Sequence, residues 1–251
     1  MQEELVFKKR ILDLANRCDR SGTYTFSDFM DSNEQALFFE MEPELSFVPY
    51  TLSGGGEDCE RQMVRFGSPE MLGYTEDFPI RCLTIRPLSQ KFADDLTHRD
   101  FLGALMHLGI ERNVLGDIIV RDNIGYLFCK DAIAEFLAEH LDKVKHTSVT
   151  CTVGTECPAA AKPTFSKEEL VVNAARCDSV VANAYKLSRS ESTRLFAAKR
   201  VFVNGRQCEN PGSVLKEGDV VSVRGFGKFI FDGILTETKK GRIRVKILRY
   251  V

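Results

Sequence analysis

The 251-residue sequence contains no run of 18 apolar residues, so no membrane-spanning helix is expected. Its eight cysteines include no Cys-x-x-Cys pair. The nearest two, Cys151 and Cys157, have no histidine at a finger-like spacing, so a structural zinc is not expected. Several cysteines sit in apolar runs, which suits buried reduced thiols in a cytoplasmic protein. Only four histidines occur, and His98 and His107 are too far apart to form a helical ligand pair. The Gly54-Gly55-Gly56 run is not followed by Lys-Ser/Thr, so it is no phosphate loop and is expected to be a mobile hairpin tip. The chain has no Gly-x-Ser-x-Gly, His-Glu-x-x-His or dinucleotide-binding fingerprint. His98-Arg99-Asp100 matches a kinase tripeptide, but the Gly-rich nucleotide loop and Asp-Phe-Gly are missing. No cofactor, metal or catalytic residue is expected. The N-terminal stretch lacks the apolar core of a signal peptide.

The composition, 43% hydrophobic and 28% charged, is that of a soluble globular chain with real cores. Its length allows two ordinary domains. A near-neutral net charge of −2 hides a strong polarity. Residues 172–251 hold 16 Lys+Arg and 7 Asp+Glu, a balance of +9, which leaves −11 on residues 1–171. A basic lobe is the electrostatic footprint of a polyanion partner.

The expected fold class is α+β. An N-terminal segment of helices and strands covers 1–78. Its first helix has Leu5, Ile11, Leu12 and Ala15 on one side, and Ser27 or Asp28 is the candidate cap of its second. From 79 the order becomes strand, helix, strand, strand, helix, strand. The strands are 79–87, 117–120, 124–129 and 147–153. The helices are 88–110 and 131–144, the latter capped by Asp131. This βαββαβ order is that of a ferredoxin-like, RRM-like domain over 79–153. Tyr126 and Phe128 share one strand face, where an RNA-recognition motif stacks bases, but their apolar surroundings favour the core. Residues 154–166, with Pro158, Pro163 and three alanines, read as a linker. A small α/β domain follows over 167–251.

In that last domain, two short helical patterns lead into Val201-Phe-Val203-Asn204-Gly205, then Gly218-Asp219 and the strand Val220–Val223. The first pattern puts Val172, Ala175, Val180 and Val181 inward, and the second Leu187, Leu195, Phe196 and Ala197. Ser188 with Glu191 has capping-box spacing. Asn204-Gly205 is a tight turn. A terminal hairpin turns at Lys239-Lys240-Gly241, with Arg242, Arg244, Lys246 and Arg249 expected as a basic stripe opposite Ile243, Val245 and Ile247.

Arg176-Cys-Asp178, Leu187-Ser188-Arg189-Ser190, the Val201–Gly205 run, Leu215-Lys-Glu-Gly218-Asp219 and Ser222-Val-Arg224-Gly225 fall in order over roughly 55 residues. Together they resemble the RNA-binding domain named after small-subunit ribosomal protein S-four. The resemblance and the charge imply that Arg176, Ser188, Arg189, Arg194, Lys199, Arg200, Asn204, Gly205, Arg224 and Lys228 form an RNA-binding surface. Arginines and lysines would grip phosphates, helped by helix N-terminal amides. Asp178 is expected to hold Arg176. His98, Arg99, Arg242, Arg244 and Lys246 are candidates for a second RNA surface.

Upstream, Leu96 to Arg112 followed by Gly116-Asp117-Ile118, with Phe29-Met30-Asp31 and Glu34-Gln35, resembles the YlmH family of bacterial RNA-binding proteins. That resemblance implies a non-catalytic cytoplasmic protein, associated with the large ribosomal subunit through ribosomal or transfer RNA. It is linked to rescue of stalled translation, and some members lie in cell-division gene neighbourhoods. A monomer is expected. Two alternatives differ in class. An RNA-modifying enzyme similar to pseudouridine synthases would use Asp19 in Cys18-Asp19-Arg20-Ser21-Gly22, but there the RNA-binding domain precedes a larger catalytic one. A ribosome-binding protein adaptor would use the acidic half.

Overall fold

The structure is a computed structural model that describes residues 2–56, 59–154, 165–238 and 241–250. It divides into two compact units, Met1–Pro163 and Thr164–Val251. The expected linker falls largely on 155–164, with Cys157, Pro158 and Pro163, outside the described residues, as do Lys239 and Lys240.

The first unit opens with helix α1 (Gln2–Ser21). Its buried face is Phe7, Ile11, Ala15 and Cys18, at helical spacing. Leu5, expected inward, is 69% exposed, because it lies off the stripe of Phe7, Ile11, Ala15 and Cys18. Strand β1 (Thr25–Phe26) leads to helix α2 (Ser32–Glu40). The cap of α2 is Asp31 rather than Ser27 or Asp28. Its carboxylate accepts from the Asn33 and Glu34 amides, and Glu34 reaches back to the Asp31 amide. Ser27 and Asp28 have other work. The Ser27 hydroxyl accepts from the Val64 amide, and Asp28 pairs with Lys130 and, at 2.9 Å, with Arg10. Strands β2 (Tyr50–Ser53) and β3 (Met63–Phe66) complete a three-stranded sheet in the order β1-β3-β2, and the short helix α3 (Pro69–Leu72) follows.

Next come β4 (Ile80–Pro87), α4 (His98–His107), β5 (Leu115–Arg121), β6 (Ile124–Lys130), α5 (Asp131–His140), β7 (Lys143–Val144) and β8 (Thr147–Gly154). The sheet order is β5-β6-β4-β8-β7, antiparallel throughout. Setting aside the short β7, this is the ferredoxin-like arrangement. Asp122 and Asn123 have φ of 49° and 61°, the left-handed pair of a two-residue hairpin turn. Helix α4 starts ten residues later than the sequence pattern implies. Residues that would form its first turns bond elsewhere: the Asp94 amide to Thr147 Oγ1 at 2.9 Å, and the Leu96 amide to Asn123 Oδ1 at 3.0 Å. Asp131 is not the cap of α5; Lys130 holds that position, and Asp131 instead accepts from Arg81 Nε at 2.6 Å.

The two faces of this sheet are both covered. Helices α4 and α5 pack on Leu83, Ile85, Leu127 and Cys129. On the other face Tyr126 and Phe128 are 5% and 1% exposed, clustered with Cys59 and Cys82. The glycine run, expected as a mobile tip, lies against Phe128. A Cβ on Gly55 would come within 2.9 Å of that ring and one on Gly56 within 2.8 Å. Only residues without a side chain allow this approach. Arg61 and Arg112 join the N-terminal part to the sheet through carbonyls. Arg61 donates to Leu115, Phe29 and Arg112, while Arg112 donates to Leu115 and Gly116. Burial, reinforced by the neighbouring Arg61 charge, lowers the Arg112 guanidinium to about 10. Asp117 accepts from the Arg61 amide at 3.0 Å.

The second unit holds β9 (Phe165–Val172), α6 (Cys177–Ala184), α7 (Arg189–Ala197), β10 (Val201–Val203), β11 (Arg206–Gln207), β12 (Val220–Val223), β13 (Gly227–Glu237) and β14 (Ile243–Tyr250). These strands form a six-stranded sheet, β11-β10-β12-β13-β14-β9. Val172, expected on a helix, ends β9 and still joins the core with Val180, Val181, Leu195 and Phe196. Ala197, expected inward, is exposed; Ser192 is buried in its place, donating to the Asp178 carbonyl. The described cysteines are free thiols, and all but the half-buried Cys151 are buried. Burial pushes the Cys129 thiol up to about 12.

Candidate nucleic-acid interface

Helix α6 begins where the chain is stitched to a later loop. The Cys177 and Asp178 amides donate to the Ser213 and Pro211 carbonyls at 2.8 and 2.9 Å. This fixes Arg176 at the helix cap. Its guanidinium makes two hydrogen bonds to Asp178, at 3.1 and 2.9 Å, the pairing expected from the sequence. An open groove of about 350 Å³ lies beside it, lined by Arg176, Ser179, Asn183, Leu187 and Arg189.

Helix α6 is capped by Tyr185, then Lys186 turns left-handed with φ 53°, and the Leu187 amide closes back on the Ala182 carbonyl at 2.8 Å. Helix α7 ends the same way. Lys199 has φ 55° and the Arg200 amide bonds to Leu195 at 2.9 Å. Such left-handed caps usually take glycine. Lysine at both costs some backbone strain and places a cation beside each helix C-terminus. Lys186 carried no sequence signal, because no glycine or proline marked the end of α6.

Between these caps, Ser188 starts α7 with a capping box. The Ser188 amide donates to Glu191 Oε2 at 2.8 Å, and Ser188 Oγ accepts from the Glu191 amide at 3.2 Å. Helix α7 buries Ser192, Leu195 and Phe196. Its outward face presents Arg189, Thr193, Arg194 and Ala197. At its far end, Arg200 and the β12–β13 turn are clamped. The Arg224 amide donates to the Arg200 carbonyl at 2.9 Å, and Arg200 Nη2 returns a bond to the Arg224 carbonyl. A Cβ on Gly225 would strike that Nη2 at 2.4 Å. Three cations there lie over aromatic rings: Arg224 over Phe202 at 4.6 Å, Arg200 over Phe226 at 5.9 Å and Lys228 over Tyr250 at 4.3 Å.

The sequence-predicted residues thus sort into groups. Arg176 and Arg189 share the groove. Arg194 stands on the exposed face of α7. Lys199, Arg200, Arg224 and Lys228 gather at its end and the adjoining turn and strand. Ser188 and Asn204 are exposed, but their side chains are engaged in hydrogen bonds within the chain. Asn204 donates to Asp219 and accepts from the Val220 amide, both at 2.8 Å, which shapes the turn at Gly205 (φ 76°).

The proposed stripe on β14 looks different in place. Arg244 pairs with Glu169 at 3.4 Å and Lys246 with Asp232 at 2.5 Å. Arg249 is not part of that stripe: it shares a strand face with the buried Val245 and Ile247. It donates twice to Glu168 and once to the Ala184 carbonyl, and lies 5.0 Å over Tyr185. The Glu168 carboxyl is held below the usual carboxylate range, chiefly by the Arg249 hydrogen bonds. A depressed native value stabilises the fold above the unfolded pKa and loses that contribution as pH falls through the native one. The second unit is therefore expected to lose stability in acid below about pH 4.3, the ordinary Glu value. Melts of Glu168→Gln should show a flatter acid limb than the parent.

In the first unit, His98 lies near Arg112, Asp117 and Glu60, and desolvation followed by Arg112 holds its imidazole below the ordinary value. Arg99 is exposed on α4. Asp19, the enzyme alternative's candidate, is exposed in the last turn of α1.

Residues 176–221, from Arg176 through the first half of β12, match the family model described as "S4 domain". Residues 74–155, which hold the ferredoxin-like sheet, match "Putative RNA-binding domain in YlmH". The chain carries a YlmH RNA-binding domain followed by an S4 domain. Over 250 residues it is 27% identical to "Ribosome-associated protein quality control protein P2" of Bacillus subtilis (strain 168), covering 99% of this chain and 96% of that protein. A solved structure, "Cell division protein ylmH from Streptococcus pneumoniae", aligns at 20% identity with a TM-score of 0.49, covering 61% of this chain and 92% of that one. In this S4 domain the matched segment contains both lysine-capped helices and most of the lining of the groove between Arg176 and Arg189, but not β13, β14 or β9.

Proposed function

We propose that this chain is a non-catalytic RNA-binding protein that grips structured ribosomal or transfer RNA through its S4 domain. It acts in the cytoplasm on the large ribosomal subunit, in rescue of stalled translation. The observation that carries this reading is the exposed face of α7. It holds Arg189 and Arg194, with Arg176 at one end and Lys199, Arg200 and Arg224 at the other. The two RNA-binding family matches and the name of the Bacillus subtilis relative support it. Among the described residues no helix is long and apolar enough to cross a membrane.

The test is the salt dependence of binding by the full chain to purified large-subunit RNA. Neutralising about 5–8 phosphates should weaken affinity by roughly a thousandfold between 50 and 200 mM salt. A flat dependence overturns the proposal. Co-sedimentation with the large subunit, lost at high salt, is the expected companion result.

A further inference from the structure

The YlmH RNA-binding domain needs a surface for its ligand, and its sheet does not offer the usual one. Single-stranded RNA is commonly stacked on aromatics of an open sheet face. Here Tyr126 and Phe128 are buried, and Gly55 and Gly56 sit against the Phe128 ring. Helices α4 and α5 close the other face.

The outer side of those helices is different. A groove of about 500 Å³ is lined by Arg99, His107, His140, Lys143 and Lys145, all exposed. Among the described residues, Arg99, Lys143 and Lys145 form no salt bridge within 4 Å, although Lys145 stands close enough to Asp100 to feel its charge. Two acids face the groove, Asp100 and Asp142. Asp100 is committed to α4, accepting from the Thr97 amide and hydroxyl at 2.8 and 2.7 Å. The lining sets three cations against these two carboxylates in a stretch that carries −11 over residues 1–171, and Glu135 and Glu139 stand exposed on α5. Beside the groove, Phe136 stacks on His140, with centroids 4.2 Å apart and planes 18° from parallel, and both rings are exposed. A cationic track next to an exposed aromatic platform is the arrangement that holds an unpaired strand.

We infer that the α4–α5 groove is the RNA contact of this domain. Arg99, Lys143 and Lys145 meet backbone phosphates and the Phe136–His140 stack receives a base. The inference rests on the proposed RNA-binding function and gives it a second, separate surface.

The experiment uses the full chain, a poly(U) 20-mer and unfractionated transfer RNA. Three variants are compared with the parent: Arg99→Ala/Lys143→Ala/Lys145→Ala, Phe136→Ala and Arg189→Ala/Arg194→Ala. Ultraviolet crosslinking to poly(U), mapped by mass spectrometry, should place crosslinks between 133 and 145, retained in the α7 variant. The triple variant should lower the slope of log affinity against log salt on poly(U) by about 2. Phe136→Ala should weaken poly(U) binding roughly tenfold. If the parent binds RNA, but crosslinks fall only in the S4 domain and the triple variant keeps the parental slope, the groove is not an RNA site. Loss of a protein partner by the triple variant without change in RNA binding has the same meaning. If the parent shows no salt-sensitive RNA binding, the proposed function fails together with this inference.

Discussion

Replacing Arg189 and Arg194 with alanine is expected to lower the chain's affinity for structured RNA about a hundredfold and to reduce the salt slope by about 2. Both side chains leave the exposed face of α7. Removing them takes two cations from the phosphate path and leaves the packing beneath intact. The helix keeps its capping box at Ser188 and Glu191, its Ser192 bond to the Asp178 carbonyl, and its buried Leu195 and Phe196. Thermal melting should therefore stay within a few degrees of the parent. The conservative pair Arg189→Lys and Arg194→Lys separates charge from geometry. If the contacts are point charges on phosphate, lysine restores the slope. If they are forked arginine contacts, the slope returns but part of the affinity does not. Filter binding at several salt concentrations, with circular dichroism melts, reads both. An unchanged affinity in the double alanine variant would remove α7 from the interface.

Much of the architecture could be read in the residues, because periodicity survives in single elements. The four main strands of the ferredoxin-like sheet alternate or run apolar, and Asp122-Asn123 marks its hairpin. In the S4 domain the Ser188–Glu191 spacing and the Asn204-Gly205 turn carry their geometry in their chemistry. What stayed hidden depends on partners distant in sequence. Leu96 and Asp94 look helical until Asn123 and Thr147 take their amides. The Gly54–Gly56 run has loop composition, yet its lack of Cβ atoms is what lets it pack on Phe128. Asp31 had a legible capping-box spacing to Glu34, and Ser27 and Asp28, equally good cap residues, obscured it. The candidate site was legible as residue types and less so as roles. Charge in the last 80 residues pointed to arginines and lysines, but a sequence does not show which of them are already spent. Arg249 is fastened to Glu168 and Ala184, and Asn204 is fastened to Asp219 and Val220. Lys186 was missed, because a lysine at a left-handed cap lacks the glycine that usually announces it.

Phe128→Ala gives the largest expected loss of stability, and it separates two roles that an aromatic on an RNA-binding sheet can have. As a base-stacking platform, Phe128 would be exposed, and its removal would cost binding while sparing the fold. In the structure it is 1% exposed, wedged between Cys59, Cys82 and Tyr126 and covered by Gly55 and Gly56. Truncation there leaves a cavity that the flanking glycines cannot fill, since they have no side chains to repack. The cost for a buried Phe→Ala is about 3–5 kcal/mol. For a unit of this size, a loss of that order lowers the melting temperature by roughly 10 °C. Calorimetry of the full chain should show the first unit's transition moving down and the S4 domain's transition staying in place. RNA affinity measured well below the new transition should match the parent, because the ring contributes to the core under the N-terminal segment and to no contact with ligand. A variant that melts like the parent but binds RNA more weakly would mean that the glycine loop lifts away and the sheet face opens to RNA after all.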